Sequence, residues 1–278
     1  MTILALAAFV GIGSFAAGLL GSLTGLGGGI IVVPMLIYVF HVDFRYAVGA
    51  SLVSIIATSS GAAAAYVREG YTNVRVGILL EVATTAGALV GGALTGIIDP
   101  SILKILFGLL MVFTIYRSLQ PRAEHEILST PDRWAARFRL DSTYPTLEGR
   151  QHYSVRNVPG GFVLMFFAGI LSALLGIGSG IIKVLAMDQL MRLPFKVSTT
   201  TSNFMIGVTA AAGAGVLLHL GYIDPTLAFP VMLGVLAGAL IGARILSRAN
   251  VKWLRQLFTL ILVVSAARML YDGITAVL

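Results

Sequence analysis

Residues 18–34 read GLLGSLTGLGGGIIVVP, and residues 169–185 read GILSALLGIGSGIIKVL. Six glycines fall within positions 18–29, in a chain whose first 40 residues carry no charge at all. Glycine used so densely can break a helix, let two helices close on one another, or let a ligand approach the backbone. Offset by 151 positions, residues 17–119 align with 168–270 without a gap, giving 29 identities in 103 pairs. The matches include Gly25/Gly176, Gly27/Gly178, Gly29/Gly180, Ser51/Ser202, Thr58/Thr209, Tyr71/Tyr222 and Arg117/Arg268. Apolar helices coincide by chance at Leu and Ala, but a gapless register that also pairs Gly, Tyr and Arg marks a duplication. The chain therefore reads as a first repeat (1–119), a linker (120–158) and a second repeat (159–278).

The surroundings of these stretches are hydrocarbon-like. Of 278 residues, 57% are hydrophobic and 11% charged, against about 25% charged in an ordinary soluble domain. A bilayer core about 30 Å thick is spanned by roughly 20 apolar residues in a helix, and several runs reach that length. Segments of alternating polarity, the mark of membrane β-barrels, are missing from the sequence, so the expectation is an all-α integral membrane protein. The first 24 residues do not read as a signal peptide, because they lack a basic start and the apolar run is too long. The net charge of +7 is read as lysine and arginine retained on the cytoplasmic side, not as nucleic-acid binding. With no cysteine and four scattered histidines, thiol chemistry and a metal centre are not expected, and neither is a cofactor.

Each repeat parses into five apolar elements: about 2–23, 26–40, 46–66, 75–97 and 101–119, then about 160–175, 179–191, 197–218, 225–246 and 252–273. The second of each set is too short for a full crossing. The first two either make one broken helix or a hairpin that returns to its starting side. Basic residues choose between these. With hairpins, fifteen lie on the side of the linker and three (Arg45, Lys104, Arg268) on the other, with Lys183 inside the membrane. A broken helix gives ten against eight. The hairpin reading puts the Arg-rich linker in the cytoplasm and both termini outside. It gives three further crossings per repeat, an odd number, so the second repeat is inverted relative to the first. Inverted repeats with interrupted helices are the build of many secondary transporters, with the substrate near the midplane.

The hairpin tips are the candidate site. Backbone within a membrane must be hydrogen-bonded unless it lines a wet cavity or is buried in protein, and helix N-termini attract anions. Tips at Gly25–Gly29 and Gly176–Gly180 facing each other would make an electropositive pocket, although glycine also serves plain helix packing. Lys183 lies one turn beyond Ser179 and either attracts an anion or snorkels to the cytoplasmic interface. Hydroxyls of Ser51, Thr58, Thr201 and Ser202 and the amide of Asn203 can donate to an oxyanion, or merely cap and cross-link helices. Glu81 either carries a coupling proton or pairs with a loop arginine such as Arg75. GALVGG (87–92) and GALIGA (238–243) read as packing surfaces. PDRWAARFRL (131–140) reads as a short piece for the membrane surface in an otherwise simple connector.

GSLTGLGGGIIVVP, GILSALLGIGSGIIKVL and LPFKVSTTTSNFMIGVTAAAGAG together resemble the TauE/SafE family of sulfite exporter-like permeases, over nearly the whole chain outside the linker. The resemblance implies a non-enzymatic plasma-membrane carrier of small sulfur-containing anions such as sulfite, sulfoacetate or other organosulfonates, driven by a proton or sodium gradient. It carries the site to Gly25, Gly27, Gly28, Gly29, Gly176, Gly178, Gly180 and Thr201–Asn203. Ser179 in the middle of the second glycine run and Leu185 opposite Pro34 depart from the pattern and bear on pocket shape. A passive anion channel or a carboxylate carrier is the alternative. Partners are expected to be the anion, the coupling ion and the bilayer, with a homo-oligomer left open.

Overall fold

The structure, a computed structural model, describes residues 3–24, 28–68, 70–120, 132–146, 149–245 and 251–277. Charge-free runs punctuated by polar caps give long helices. In the first repeat these are α1 (Ile3–Thr24), α2 (Gly29–Tyr38), α3 (Phe44–Arg68), α4 (Val74–Ile97) and α5 (Pro100–Leu119). Asn73 starts α4 by accepting the Val76 amide, and Asp99 starts α5 by accepting that of Ser101, with Pro100 at the first helical position, where its missing N–H costs nothing. The second repeat holds α7 (Val158–Leu175), α8 (Gly180–Leu185), a π-turn at Ala186–Leu190, α9 (Phe195–His219), α10 (Pro225–Ile245) and α11 (Val251–Val277). Among the described residues, six helices are long and apolar enough to cross a membrane. Their exposed faces are hydrocarbon, as in Ile78, Val82 and Leu89 on α4 and Leu260, Val263 and Val264 on α11.

Both glycine-rich stretches form hairpins. Met35 of α2 packs back on Gly13 of α1, and Gly28 lies against Gly18. In the second repeat Met191 packs on Gly161 and its carbonyl accepts the Arg156 amide at 3.0 Å. Each short return helix is also irregular at its middle. Pro34 sits inside α2, and where position 185 has Leu instead, α8 runs into the π-turn. Proline and π-turns both interrupt the regular hydrogen-bond ladder.

Contacts between the halves come in matched sets. α1 packs on α10 and α7 on α4, exchanging partners across the repeat. The seams are glycine: a Cβ on Gly169 would lie 2.1 Å from the Thr84 carbonyl oxygen, and one on the matching Gly18 would lie 2.3 Å from that of Val235. Gly87 meets Phe166 and Gly238 meets Phe15 in the same way, so GALVGG and GALIGA are packing surfaces. Helices α3 and α9 pack on each other, as do α5 and α11. Leu52 faces Gly213 while Ser59 faces Gly207, and Gly108 faces Leu270 while Ser101 faces Gly273, so each of these pairs runs antiparallel. Polar clamps follow the same exchange. Arg45 stacks on Tyr222 at 5.3 Å and Lys196 on Tyr71 at 5.7 Å. Arg268 lies over Tyr38, at the end of α2, and Arg117 reaches the carboxamide of the equivalent Gln189.

The linker is more than a connector. It holds α6 (Arg133–Arg137) and an antiparallel hairpin of β1 (Ser142–Thr146) and β2 (Gly149–Tyr153), which neither apolar periodicity nor composition signals. Ala135, Leu140, Tyr153 and Val155 join Val76, Leu80, Met187, Met191 and Leu193 in one buried cluster. The Asn73 amide donates to the Leu140 carbonyl and the Tyr153 hydroxyl, both at 2.8 Å. Burial raises the Tyr153 pKa to about 12, so the hydroxyl stays protonated in this anchor. Trp134 and Phe138 stack on the exposed side of the cap.

The glycine seams give a test. Gly169→Val should cost about 1–3 kcal/mol or more through overpacking and lower the thermal midpoint of the detergent-solubilised protein. Gly215→Ala, whose new methyl meets nothing within 4 Å, should leave that midpoint unchanged or raised.

Candidate functional site

The two glycine breaks meet in the interior. A Cβ on Gly29, the first residue of α2, would lie 2.8 Å from the Gly176 carbonyl oxygen and 2.9 Å from the Ser51 hydroxyl. Ser51 donates to that same carbonyl at 2.6 Å, so a hydroxyl of the first half satisfies the open backbone of the second. Gly176, Gly178 and Ser179 have φ of 66°, 64° and 46°, the left-handed region that glycine enters freely and serine does not. Gly28, the repeat partner of Ser179, is right-handed with φ −69°. The two tips are therefore alike in position and unlike in backbone. Gly25 and Gly27 lie outside the described residues.

The hydroxyls expected to greet a ligand mostly serve the protein. Ser202 donates to the Gly180 carbonyl at 3.3 Å. Thr58 turns back to the carbonyls of Ser54 and Ile55 on its own helix. Thr201 accepts the Asn73 backbone N–H at 3.0 Å, tying α9 to the linker anchor that the Asn73 side chain makes. Asn203 is half-buried on α9. At the second tip, Ser179 is buried and its hydroxyl has no hydrogen-bond partner among the described residues. It lines a cavity of about 10 Å³ with Thr114, Gly180 and the side chains of Ile30, Leu110, Ile177, Ile181 and Ile182. That is room for one water at most. Nothing the size of an oxyanion fits there without movement.

The strongest polar feature is a group that the sequence did not assemble. Lys183, on α8, is completely buried and donates to Thr209 of α9 at 2.5 Å. Thr209 in turn donates to Glu81 Oε1 at 2.7 Å, and Thr85 donates to the same oxygen at 3.2 Å. Glu81 Oε2 has no hydrogen bond and stands 3.9 Å from the ammonium. Lys183 therefore does not snorkel to an interface. Glu81 does not pair with Arg75 either, whose guanidinium donates to the Arg139 carbonyl. Two charges read separately belong to one site, contributed by opposite repeats. A signal was present: the repeat partners of Lys183 and Glu81 are Val32 and Met232, so both charges depart from the duplication together.

The pair predicts a stability pattern. Removing one partner strands a buried charge at a cost of about 3–5 kcal/mol, so Glu81→Ala or Lys183→Met alone should lower the thermal midpoint sharply. Glu81→Met with Lys183→Val, which copies the other half, should recover most of the loss in the same assay.

The sequence matches one family of membrane proteins over most of its length. Residues 10–269 match the family described as sulfite exporter TauE/SafE. The "Probable membrane transporter protein YunE" of Bacillus subtilis is 26% identical over 265 residues, covering 93% of this chain and 95% of the relative. A "Probable membrane transporter protein" of Xylella fastidiosa is 28% identical over 278 residues, with 96% and 95% covered. One from Methanocaldococcus jannaschii is 26% identical over 272 residues, with 92% of each covered. No solved structure matches the chain significantly. A family match that runs through both halves of a bundle of membrane-length helices leads to one assignment: the chain belongs to the sulfite exporter TauE/SafE family of membrane transporters.

Proposed function

We propose that this protein is a secondary active transporter that carries a small sulfur-containing oxyanion, such as sulfite or an organosulfonate, by alternating access between two inverted repeats. The observation that carries the reading is the meeting of Gly29 with Gly176, where backbone from both halves converges in the interior. Helices α3 and α9 are equivalent in the repeat yet antiparallel, and this supports inversion about an axis in the membrane plane. Basic residues concentrated in the linker support a cytoplasmic cap and external termini. The substrate site then comprises the tips at Gly28–Gly29 and Gly176–Gly180, and the proposal extends to Gly25 and Gly27 by their repeat equivalence with Gly176 and Gly178. Lys183 supplies the positive charge, and Ser51, Thr58 and Thr201–Asn203 line the approach. The one-water cavity at the second tip corresponds to a closed state, which opens to one face at a time as the halves rock.

Hydroxyls that now satisfy carbonyls would be freed as the tips part, and glycine would let the anion reach main-chain amides. Ion-gradient coupling, not ATP, drives the cycle, since the chain has no phosphate-binding G-x-x-x-x-G-K-[ST] loop.

Proteoliposomes test both parts of the reading. Labelled sulfite or sulfonate should enter above the level of empty vesicles, and uptake should fall at least tenfold in Lys183→Met. Wild-type uptake equal to empty vesicles for every oxyanion tried would overturn the assignment. Orientation is readable because the chain has no cysteine. A membrane-impermeant maleimide applied to cells should label Val39→Cys and Leu220→Cys, and should reach Arg133→Cys and Gln151→Cys only after permeabilisation.

A further inference from the structure

We infer that Glu81 is a built-in competitor for the transported anion at Lys183, so that each monoanion is loaded together with one proton. This rests on the oxyanion reading above and adds to it the coupling ion and the atom that carries it.

The first premise is that packing does not require the charges. At the position related by the repeat, Val32 of the first half and Met232 of the second hold the equivalent places. Val32 is fully buried there, and Thr58, the equivalent of Thr209, bonds only its own helix. A buried ion pair is seldom worth more to stability than hydrocarbon of similar volume. The charges are therefore present for something other than cohesion.

The second premise is that the pair is loosely made. Lys183 has three N–H donors, and the hydrogen bond it makes among the described residues goes to Thr209. The carboxylate places both of its accepted hydroxyl bonds on Oε1. Oε2 faces the ammonium at 3.9 Å, beyond hydrogen-bond length, and has no hydrogen-bond donor among the described residues. A carboxylate held at that distance balances the lysine without engaging it. It occupies, in charge, the place of an anion.

Among the described residues, no other counter-charge faces the pair. Around Glu81, Thr84 and Thr85 of α4 and Thr209 of α9 offer hydroxyls, and Lys183 is the charged group that faces it. The surface of α7 packed on α4 includes Phe166, Gly169 and Ile170, which do not titrate. Asp188, the next ionisable residue along the hairpin, lies in the following π-turn.

Charge balance then dictates the cycle. Empty, the site holds Lys⁺ and Glu⁻ and is neutral. An oxyanion that entered beside both would leave one uncompensated negative charge away from water, a costly state. A proton taken from the open aqueous side onto Oε2 turns Glu81 into a neutral acid. The anion then takes the ammonium, and the site is neutral again. Opening to the other side releases anion and proton together and restores the internal pair. For a monoanion the loaded and empty sites carry equal charge, so transport is electroneutral and is driven by ΔpH, not by membrane potential.

Calorimetry on the full-length protein, with methanesulfonate as a probe that stays anionic at every pH used, decides the matter. In two buffers of different ionisation enthalpy, wild type should take up close to one proton per bound anion. Its Kd should weaken toward tenfold per pH unit as pH rises. Glu81→Gln should bind without proton uptake, with a Kd independent of pH, and in vesicles it should exchange labelled methanesulfonate without accumulating it on a pH gradient. Glu81→Met with Lys183→Val should stay folded and bind nothing. Tight binding by wild type with no proton uptake and a flat pH profile would overturn Glu81 as the carrier while leaving the oxyanion site standing. Absence of binding by wild type for methanesulfonate, sulfite and sulfoacetate alike would remove both. The wild-type proton count is decisive even should Glu81→Gln fail to fold.

Discussion

Hydrocarbon offers no hydrogen bonds, and a chain that turns back halfway through a membrane must find every partner for its broken backbone within the protein. That requirement organises the molecule. The Gly176 carbonyl, left open where α7 ends, is satisfied by Ser51 from the opposite half, and the Gly180 carbonyl by Ser202. For these short side chains to reach, the hairpins must sit deep against α3 and α9. For the hairpins to sit deep, their long arms must close tightly on α4 and α10, and the glycine seams allow that approach. Packing at the seams and polar satisfaction at the tips are two sides of one constraint.

Within this near-symmetric frame the functional asymmetry is concentrated. Equivalent helices meet equivalent helices, and Arg45 and Lys196 grip the same tyrosine position in the opposite half. Duplication supplies a scaffold whose two halves pack alike. Around the hairpins the departures are a left-handed Ser179 where the first repeat has Gly28, a π-turn where it has Pro34, and the Lys183–Glu81 pair where the related position combines Val32 with Met232. All but Glu81 lie on the second hairpin. That prong is where selection for a ligand would leave its mark, whereas the first prong reads as the structural template.

The helices and their arrangement in two similar sets were legible because each rests on local or periodic physics: apolar runs of membrane length and a gapless register. The glycine seams were legible for the same reason, since small residues at helical spacing serve one purpose in hydrocarbon. The site was legible only in outline. For Ser51, Thr58, Thr201 and Ser202 the sequence shows hydroxyls but not which carbonyls lie nearby, so ligand donor and helix cross-link stay open together. The meeting of Lys183 with Glu81 depends on how α8 inserts beside α4, a contact across about a hundred residues of chain that sequence spacing does not display. The linker's β-hairpin is not legible because its ten strand residues include no Val, Ile or Leu to mark an alternating strand, and their order comes from the anchor at Asn73.

The partner exchange has a consequence for how the molecule is made. The arm α1 leaves the ribosome well before the surface it buries against, which belongs to α10, more than two hundred residues later. Until then its glycine face has only lipid, or a helper protein, in the place of α10. A topology in which an early element waits for a distant one closes slowly. Biogenesis of this carrier is thus a problem of shelter: the nascent first hairpin must be held at the edge of the bilayer until its distant companion is threaded.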